Sequence, residues 1–240
     1  MSSIANNIAD TLQRIHDAEQ CAQRSEGSVV LLAVSKTKPA AQLRQAFEAG
    51  QRDFGENYLQ DALPKMKQLA DLAICWHFIG PLQSNKSRSV AESFDWFHSL
   101  ERLKIAQRLS DQRPPELAPL NVCIQVNISA EASKSGVMPE QVVELAQQIA
   151  ALPRLQLRGL MAIPAAALDE AGQRQAFAAM RQLLQQLKAT LPAPTANQVD
   201  TLSMGMSGDL EIAVAQGSTM VRIGTAIFGS RDTVAAGRAQ

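Results

Sequence analysis

Lys36 follows directly on an uninterrupted aliphatic run, Val29-Val-Leu-Leu-Ala-Val34, and on Ser35. Such a run reads as a strand covered on both faces. A lysine at its carboxyl end is partly desolvated, which disfavours the ammonium and lowers its pKa. Lys38 lowers it further if its charge approaches, and Pro39, at an expected helix start, adds a positive dipole end. This makes Lys36 a candidate to form a Schiff base with a carbonyl compound. The competing reading is a strand-end lysine whose ammonium snorkels to water.

A second constellation lies near the other end of the chain, in Ser203-Met204-Gly-Met-Ser207-Gly208-Asp209 and Arg222-Ile-Gly224-Thr225. Ser207 is placed to cap a following helix, and the glycines let backbone amides approach a ligand, which suits a phosphate. Gly224 and Thr225 add further amides and a hydroxyl. Alone, each fragment is also an ordinary cap or turn. Together with Lys36 they point to a phosphorylated carbonyl ligand. Asn57, in Gly55-Glu56-Asn57-Tyr58, can hydrogen-bond a ring hydroxyl or phenolate oxygen, and His77 is expected beneath a flat ring. The alternatives are that Asn57 opens a helix and that His77 is a satisfied core histidine. Asn127, Lys134 and Gly136 are expected at the same mouth.

Cys21, Cys75 and Cys123 form no Cys-x-x-Cys pair, and no histidine is read at ligand spacing from them. Reduced, buried thiols and no metal site are expected.

The elements that must position these residues alternate. Residues 4, 8, 12 and 15 are apolar at helical spacing, predicting an amphipathic helix that ends near Gly27. Strands are expected at 29–34, 53–55, 74–79, 96–99, 122–126, 155–161, 201–204 and 220–223. Helices are expected at 39–49, 56–70, 85–93, 101–110, 139–151, 169–190 and 208–216, with a last helical turn beyond Gly229. Eight strand-helix units close a parallel barrel, so the fold class is α/β, a single (β/α)8 TIM barrel spanning 1–240 with an extra N-terminal helix. An open doubly wound sheet is the alternative, but no Gly-x-Gly-x-x-Gly turn follows the first strand. The Pro114-Pro115 and Pro192-Ala-Pro194 stretches read as rim loops.

Length and composition agree with one globular domain: 240 residues, 46% apolar and 19% charged. Lys+Arg and Asp+Glu are each 23, giving zero formal net charge. That balance disfavours an electrostatic nucleic-acid or membrane-surface binder, and no segment reads as a leader or membrane span, so a cytoplasmic protein is expected.

Several blocks, taken in order, resemble a known family. They are Ala33-Val-Ser-Lys36-Thr-Lys38, Phe54-Gly-Glu-Asn57-Tyr58, His77-Phe-Ile-Gly80 with Leu82-Gln83 and Asn85-Lys86, and Gln125-Val-Asn127 with Lys134-Ser-Gly136. Leu160-Met161, Ser203-Met-Gly-Met-Ser207-Gly-Asp-Leu210 and Val221-Arg-Ile-Gly-Thr225 complete the set. Together they resemble the pyridoxal phosphate homeostasis proteins of the YggS type, over nearly the whole chain. The resemblance implies a barrel similar to the amino-terminal domain of alanine racemase, holding pyridoxal phosphate without established turnover. It implies that Lys36 forms the Schiff base, that Ser203, Ser207, Gly208, Gly224 and Thr225 surround the phosphate, that Arg222 faces the pyridine nitrogen, and that Asn57 lies near the ring; Met204 and His77 are counted with them as cofactor-binding.

An arginine at the pyridine nitrogen cannot accept its proton and repels an added positive charge, so the ring is a poor electron sink. This favours intracellular storage and delivery of the cofactor, with apo-enzymes as possible recipients, over an enzyme of the racemase type. Racemases also carry a second domain that supplies a tyrosine. Here the chain ends soon after the last expected strand, and its one tyrosine is Tyr58. Balanced charge and few aromatics lean toward a monomer.

Overall fold

The structure, a computed structural model, describes residues 3–129, 131, 135–165 and 168–229. Lys134 and the helical turn expected beyond Gly229 lie outside the described residues.

The chain opens with α1 (Ile4–Cys21), then alternates β1 (Val30–Val34), α2 (Ala40–Glu48), β2 (Asp53–Glu56), α3 (Leu59–Gln68) and β3 (Cys75–Phe78). A 3-10 turn at Ser84–Lys86 leads into α4 (Ser87–Ser93), followed by β4 (Trp96–Leu100), α5 (Leu103–Gln112) and β5 (Leu120–Gln125). A second 3-10 turn, Pro139–Gln141, precedes α6 (Val142–Ala150). Then come β6 (Leu155–Met161), α7 (Glu170–Thr190), α8 (Ala193–Ala196), β7 (Thr201–Ser203), α9 (Leu210–Ala215), β8 (Met220–Ile223) and α10 (Thr225–Phe228). The eight strands pair in parallel, in chain order, and β8 returns to β1 to close the barrel. The expected fold class is therefore the observed one.

Alternation along the strands sorts the side chains into two environments. Leu31, Ala33, Phe54, Phe78, Phe97, Val122, Ile124, Val221 and Ile223 pack outward against the helices in one continuous core. The opposite set, including Asp53, Cys75, His77, Trp96, His98, Ser203 and Arg222, faces the barrel interior. That interior is unusually polar, since such barrels are normally filled by layers of branched aliphatic residues.

Helix α1 begins at an N-cap in which Asn6 donates its amide to the Ser3 hydroxyl. Ile8 and Ile15 are buried, but Leu12, expected on the same face, is 47% exposed. The helix runs against α9 and α10, at the closing seam of the barrel. From it Asn7 donates to the Ile227 carbonyl, and Arg14 donates to the Ser207 carbonyl and to Glu211.

Three local expectations change. Ser207 does not cap α9; Asp209 occupies that position, and its carboxylate accepts the Met206 amide instead. The Pro192-Ala-Pro194 stretch contains α8, started by a proline at its first turn. Cys21 is exposed and Cys75 only half-buried, whereas Cys123 is fully buried as expected.

Candidate functional site

Lys36 is half-buried just past the carboxyl end of β1, and its backbone is held from below by a buried cluster. The Ser35 hydroxyl donates to Glu56 Oε1 at 2.6 Å, and Lys65 Nζ donates to the Ser35 carbonyl at 2.9 Å and to the same Glu56 carboxylate. Glu56 is fully buried. Burial pushes its carboxyl up from the ordinary range, against the opposing pull of Lys65. Thr37 then takes φ +64°, a left-handed conformation that a β-branched residue adopts only under constraint. The lysine thus sits between a locked residue and a strained one. Lys38 turns away, donating to the Phe228 carbonyl at 3.0 Å.

A cavity of about 340 Å³ opens at this end of the barrel. Val34, Lys36, Asn57, Ile79, Ile163, Met206, Ser207, Gly208, Arg222, Gly224 and Thr225 line it. Seven of the ten residues expected at a site are therefore brought together, from both ends of the chain. The aliphatic walls suit a flat ring. At one side, the backbone hydrogen bonds among the described residues leave the N–H groups of Ser207, Gly208, Gly224 and Thr225 without acceptors. A Cβ added at Gly208 would touch nothing, so the loop faces open space. Unpaired amides beside two hydroxyls make an anion cradle. Asn57 Oδ1 is buried without a partner and completes a polar edge for a ligand to satisfy.

Arg222 forms the floor. It donates to the Ser203 carbonyl, to Ser203 Oγ at 2.9 Å and to the Ala162 carbonyl at 2.9 Å. Burial pushes its guanidinium down to about 10, with Asp209 pulling the other way, so it stays cationic at neutral pH.

Three expected residues lie elsewhere. Ser203 Oγ points into the barrel between Arg222 and His98, and it supports Arg222 rather than an anion. Met204 is fully buried in the core outside the barrel. His77 is buried lower in the barrel, stacked on Trp96 with ring centroids 5.3 Å apart. Asn127 lines a neighbouring cavity of about 280 Å³ with Glu101, Arg102 and Gln125, and the Gly136 amide donates to Glu101. Alternation gives the face a strand residue occupies but not its height in the barrel, so His77 could be placed inside and not at depth.

Sequence reading also missed that Asp53, Cys75 and His77 converge, their ligand-type atoms all within 4.8 Å. The Cys75-x-His77 spacing puts both side chains on one face of β3, and that was the available signal.

The chain matches the model of the alanine racemase N-terminal domain over residues 10–232. It is 60% identical over 232 residues to the pyridoxal phosphate homeostasis protein of Pseudomonas aeruginosa, covering 97% of each chain. Against that of Escherichia coli the identity is 54% over 235 residues, covering 97% of this chain and 98% of the other. Among solved structures, Synechococcus elongatus PipY with PLP bound superposes with a TM-score of 0.78 at 36% identity, covering 95% of this chain and all of that one (100%). Alanine racemase from Corynebacterium glutamicum shares the fold, with a TM-score of 0.65 at 18% identity, covering 98% of this chain and 62% of that one. With full-length relatives at this identity and a barrel of the racemase amino-terminal type around the cavity, the chain belongs to the pyridoxal phosphate homeostasis proteins.

Proposed function

We propose that this protein is a single cofactor-binding barrel that holds pyridoxal phosphate in the Lys36 cavity, buffers it and passes it on, without turnover of its own. The observation that carries this reading is one cavity containing a half-buried amine, a set of unpaired amides and a buried guanidinium. The bound cofactor supplies an aldehyde that amines capture reversibly. Lys36 Nζ is the capturing amine, presented by the Ser35, Glu56 and Lys65 lock. The amides of Ser207, Gly208, Gly224 and Thr225 would hold the phosphate, and the Asn57 carboxamide would be available to the ring edge. Arg222, a cation on the cavity floor, would keep a ring nitrogen held against it unprotonated, which would withhold the electron sink that carbanion chemistry needs.

Racemisation requires a second base on the opposite face of the ring. His77 is buried below the floor, and Tyr58 is 55% exposed and absent from the cavity lining. Neither is placed for that role, and Lys134, the third group that would have to stand in, lies outside the described residues. We read the protein as cytoplasmic and monomeric, with apo forms of pyridoxal phosphate enzymes as recipients. Among the described residues no helix is long and apolar enough to cross a membrane.

The test is the visible spectrum of the purified protein, then borohydride reduction, peptide mapping and assay with L- and D-amino acids. A trapped adduct on Lys36 without turnover is expected, and Lys36→Ala loses the adduct while still binding the cofactor weakly through the phosphate cradle. A protein that cannot be loaded overturns the reading; one that racemises amino acids replaces it with the racemase alternative.

A further inference from the structure

The barrel interior carries a continuous chain of side chains that capture of the cofactor does not use. Arg222 Nη1 to Ser203 Oγ is 2.9 Å, Ser203 Oγ to His98 Nδ1 is 2.9 Å, His98 Nε2 to His77 Nδ1 is 3.0 Å, and His77 Nε2 to Asp53 Oδ1 is 3.0 Å. It starts at the cavity floor near the carboxyl end of β8, crosses through β7, β4 and β3, and ends at the first residue of β2. Ser203, His77, His98 and Arg222 are all buried, and only the Asp53 side chain reaches solvent, at 30% exposure.

The two ends fix the direction of every link. Arg222 can only donate, so Ser203 Oγ accepts from it. The Ser203 hydroxyl hydrogen then goes to its other recorded neighbour, His98 Nδ1. His98 Nε2–H donates to His77 Nδ1, and His77 Nε2–H donates to the Asp53 carboxylate; Cys75 Sγ also lies 3.4 Å from His77 Nε2, but its thiol hydrogen goes to Asp53. In the reverse direction Ser203 would accept twice and strand its hydrogen, and the His77 Nε2 lone pair would face a carboxylate. A metal ion among Asp53, Cys75 and His77 would claim that same lone pair and force the reverse direction. Burial, with the Arg222 charge and His77 nearby, pushes His98 well below the ordinary histidine range, in keeping with a neutral link. The other ionisable groups near the chain are Cys75, Asp95 and Arg158, which lies over Trp96 and pairs with Asp200, at its lower end, and Cys123 and Asp209 near Arg222. Lys36 shares the cavity with Arg222.

Among the described residues Arg222 has no carboxylate as a hydrogen-bond partner; its partners there are all neutral oxygens. An oriented row of dipoles in a dry interior carries the influence of a distant charge further than bulk solvent allows. We propose that Asp53, at the opposite mouth of the barrel, is a positioning residue for the cofactor, acting through His77, His98 and Ser203 on the orientation and charge of Arg222. The proposal rests on the reading that the cavity takes pyridoxal phosphate with Arg222 at the ring nitrogen.

Two measurements test it. In the full chain without cofactor, long-range proton-nitrogen correlation of the histidine rings reports the tautomers. Nε2–H on both His77 and His98 at neutral pH is expected, and Nδ1–H or an imidazolium on either overturns the chain's direction. In the pyridoxal phosphate-loaded protein, the pH midpoint of the visible band is compared among variants. Asp53→Asn removes an anion and is expected to lower the midpoint by several tenths of a pH unit, with Asp53→Glu restoring it. In a Ser203→Ala background, which cuts the chain while sparing the strand, the Asp53→Asn shift is expected to vanish. An equal midpoint in loaded wild type and Asp53→Asn overturns the proposal, as does a shift that survives Ser203→Ala. Wild-type protein that takes up no cofactor overturns the reading of the cavity instead, while the tautomers still report the chain.

Discussion

Lys65 and Glu56 form the most exposed-to-failure contact near the site, because both are buried and neither can be hydrated if the other is removed. Lys65→Met leaves the Glu56 carboxylate without its cation and is expected to cost about 3–5 kcal/mol in urea unfolding, with Glu56→Leu added to it recovering much of the loss. The single substitution should also loosen Ser35, and so weaken capture by Lys36 beyond the loss of stability. Little of this was legible in the sequence. Glu56 was read as the first residue of a helix, and nothing in local spacing says that a lysine nine positions later, on α3, turns back under β1. By contrast, Lys36 and the Ser207 and Thr225 loops were legible, because a strand end followed by glycine or serine constrains position within a barrel of known hand.

At the scale of elements, the strands were the most readable part: β6 and β8 have the expected bounds, and the others differ by a residue or two at their ends. Helix starts were less so. α3 begins at Leu59 rather than at 56 because Glu56 still belongs to β2 and pairs with Phe78 of β3. Gly159 of β6 faces Thr201 of β7 at φ +153°, where a Cβ would lie 1.9 Å from the Thr201 carbonyl oxygen. Gly159→Ala must push β7 away from β6, and β7 is only three residues long. A loss of about 3 kcal/mol in thermal or urea unfolding is expected. Because β7 delivers Ser203 beneath Arg222, cofactor retention should fall as well.

At the scale of the whole molecule, closure was legible from eight alternations, but the polar filling of the barrel was not. Histidines on strands carry no mark of which neighbours they will meet across a closed sheet. That filling makes stability depend on pH. Folded His98 is held well below the 6.5 of a free imidazole, so the unfolded chain takes up its proton first as pH falls. The contribution is intact above about 6.5 and declines below it, by up to about 1.4 kcal/mol per pH unit for the one proton. Glu56, whose carboxyl is raised, acts in the opposite sense at lower pH, where the folded state holds its proton longer. Urea midpoints measured from neutral to mildly acid pH should therefore fall, and His98→Gln should flatten the slope even though it lowers stability throughout.

The grip of α1 on the Ser207 loop and on α10 has a consequence in time. A ribosome makes α1 some two hundred residues before residues 203–228, so the anion cradle and its brace are far apart in synthesis. Seam closure between β1 and β8 has the same long sequence separation, and contacts of that kind form late. A nascent chain therefore carries Lys36 long before it can seat a phosphate. Reactive aldehyde finds no built cavity until residues 203–228 have been made and have met α1.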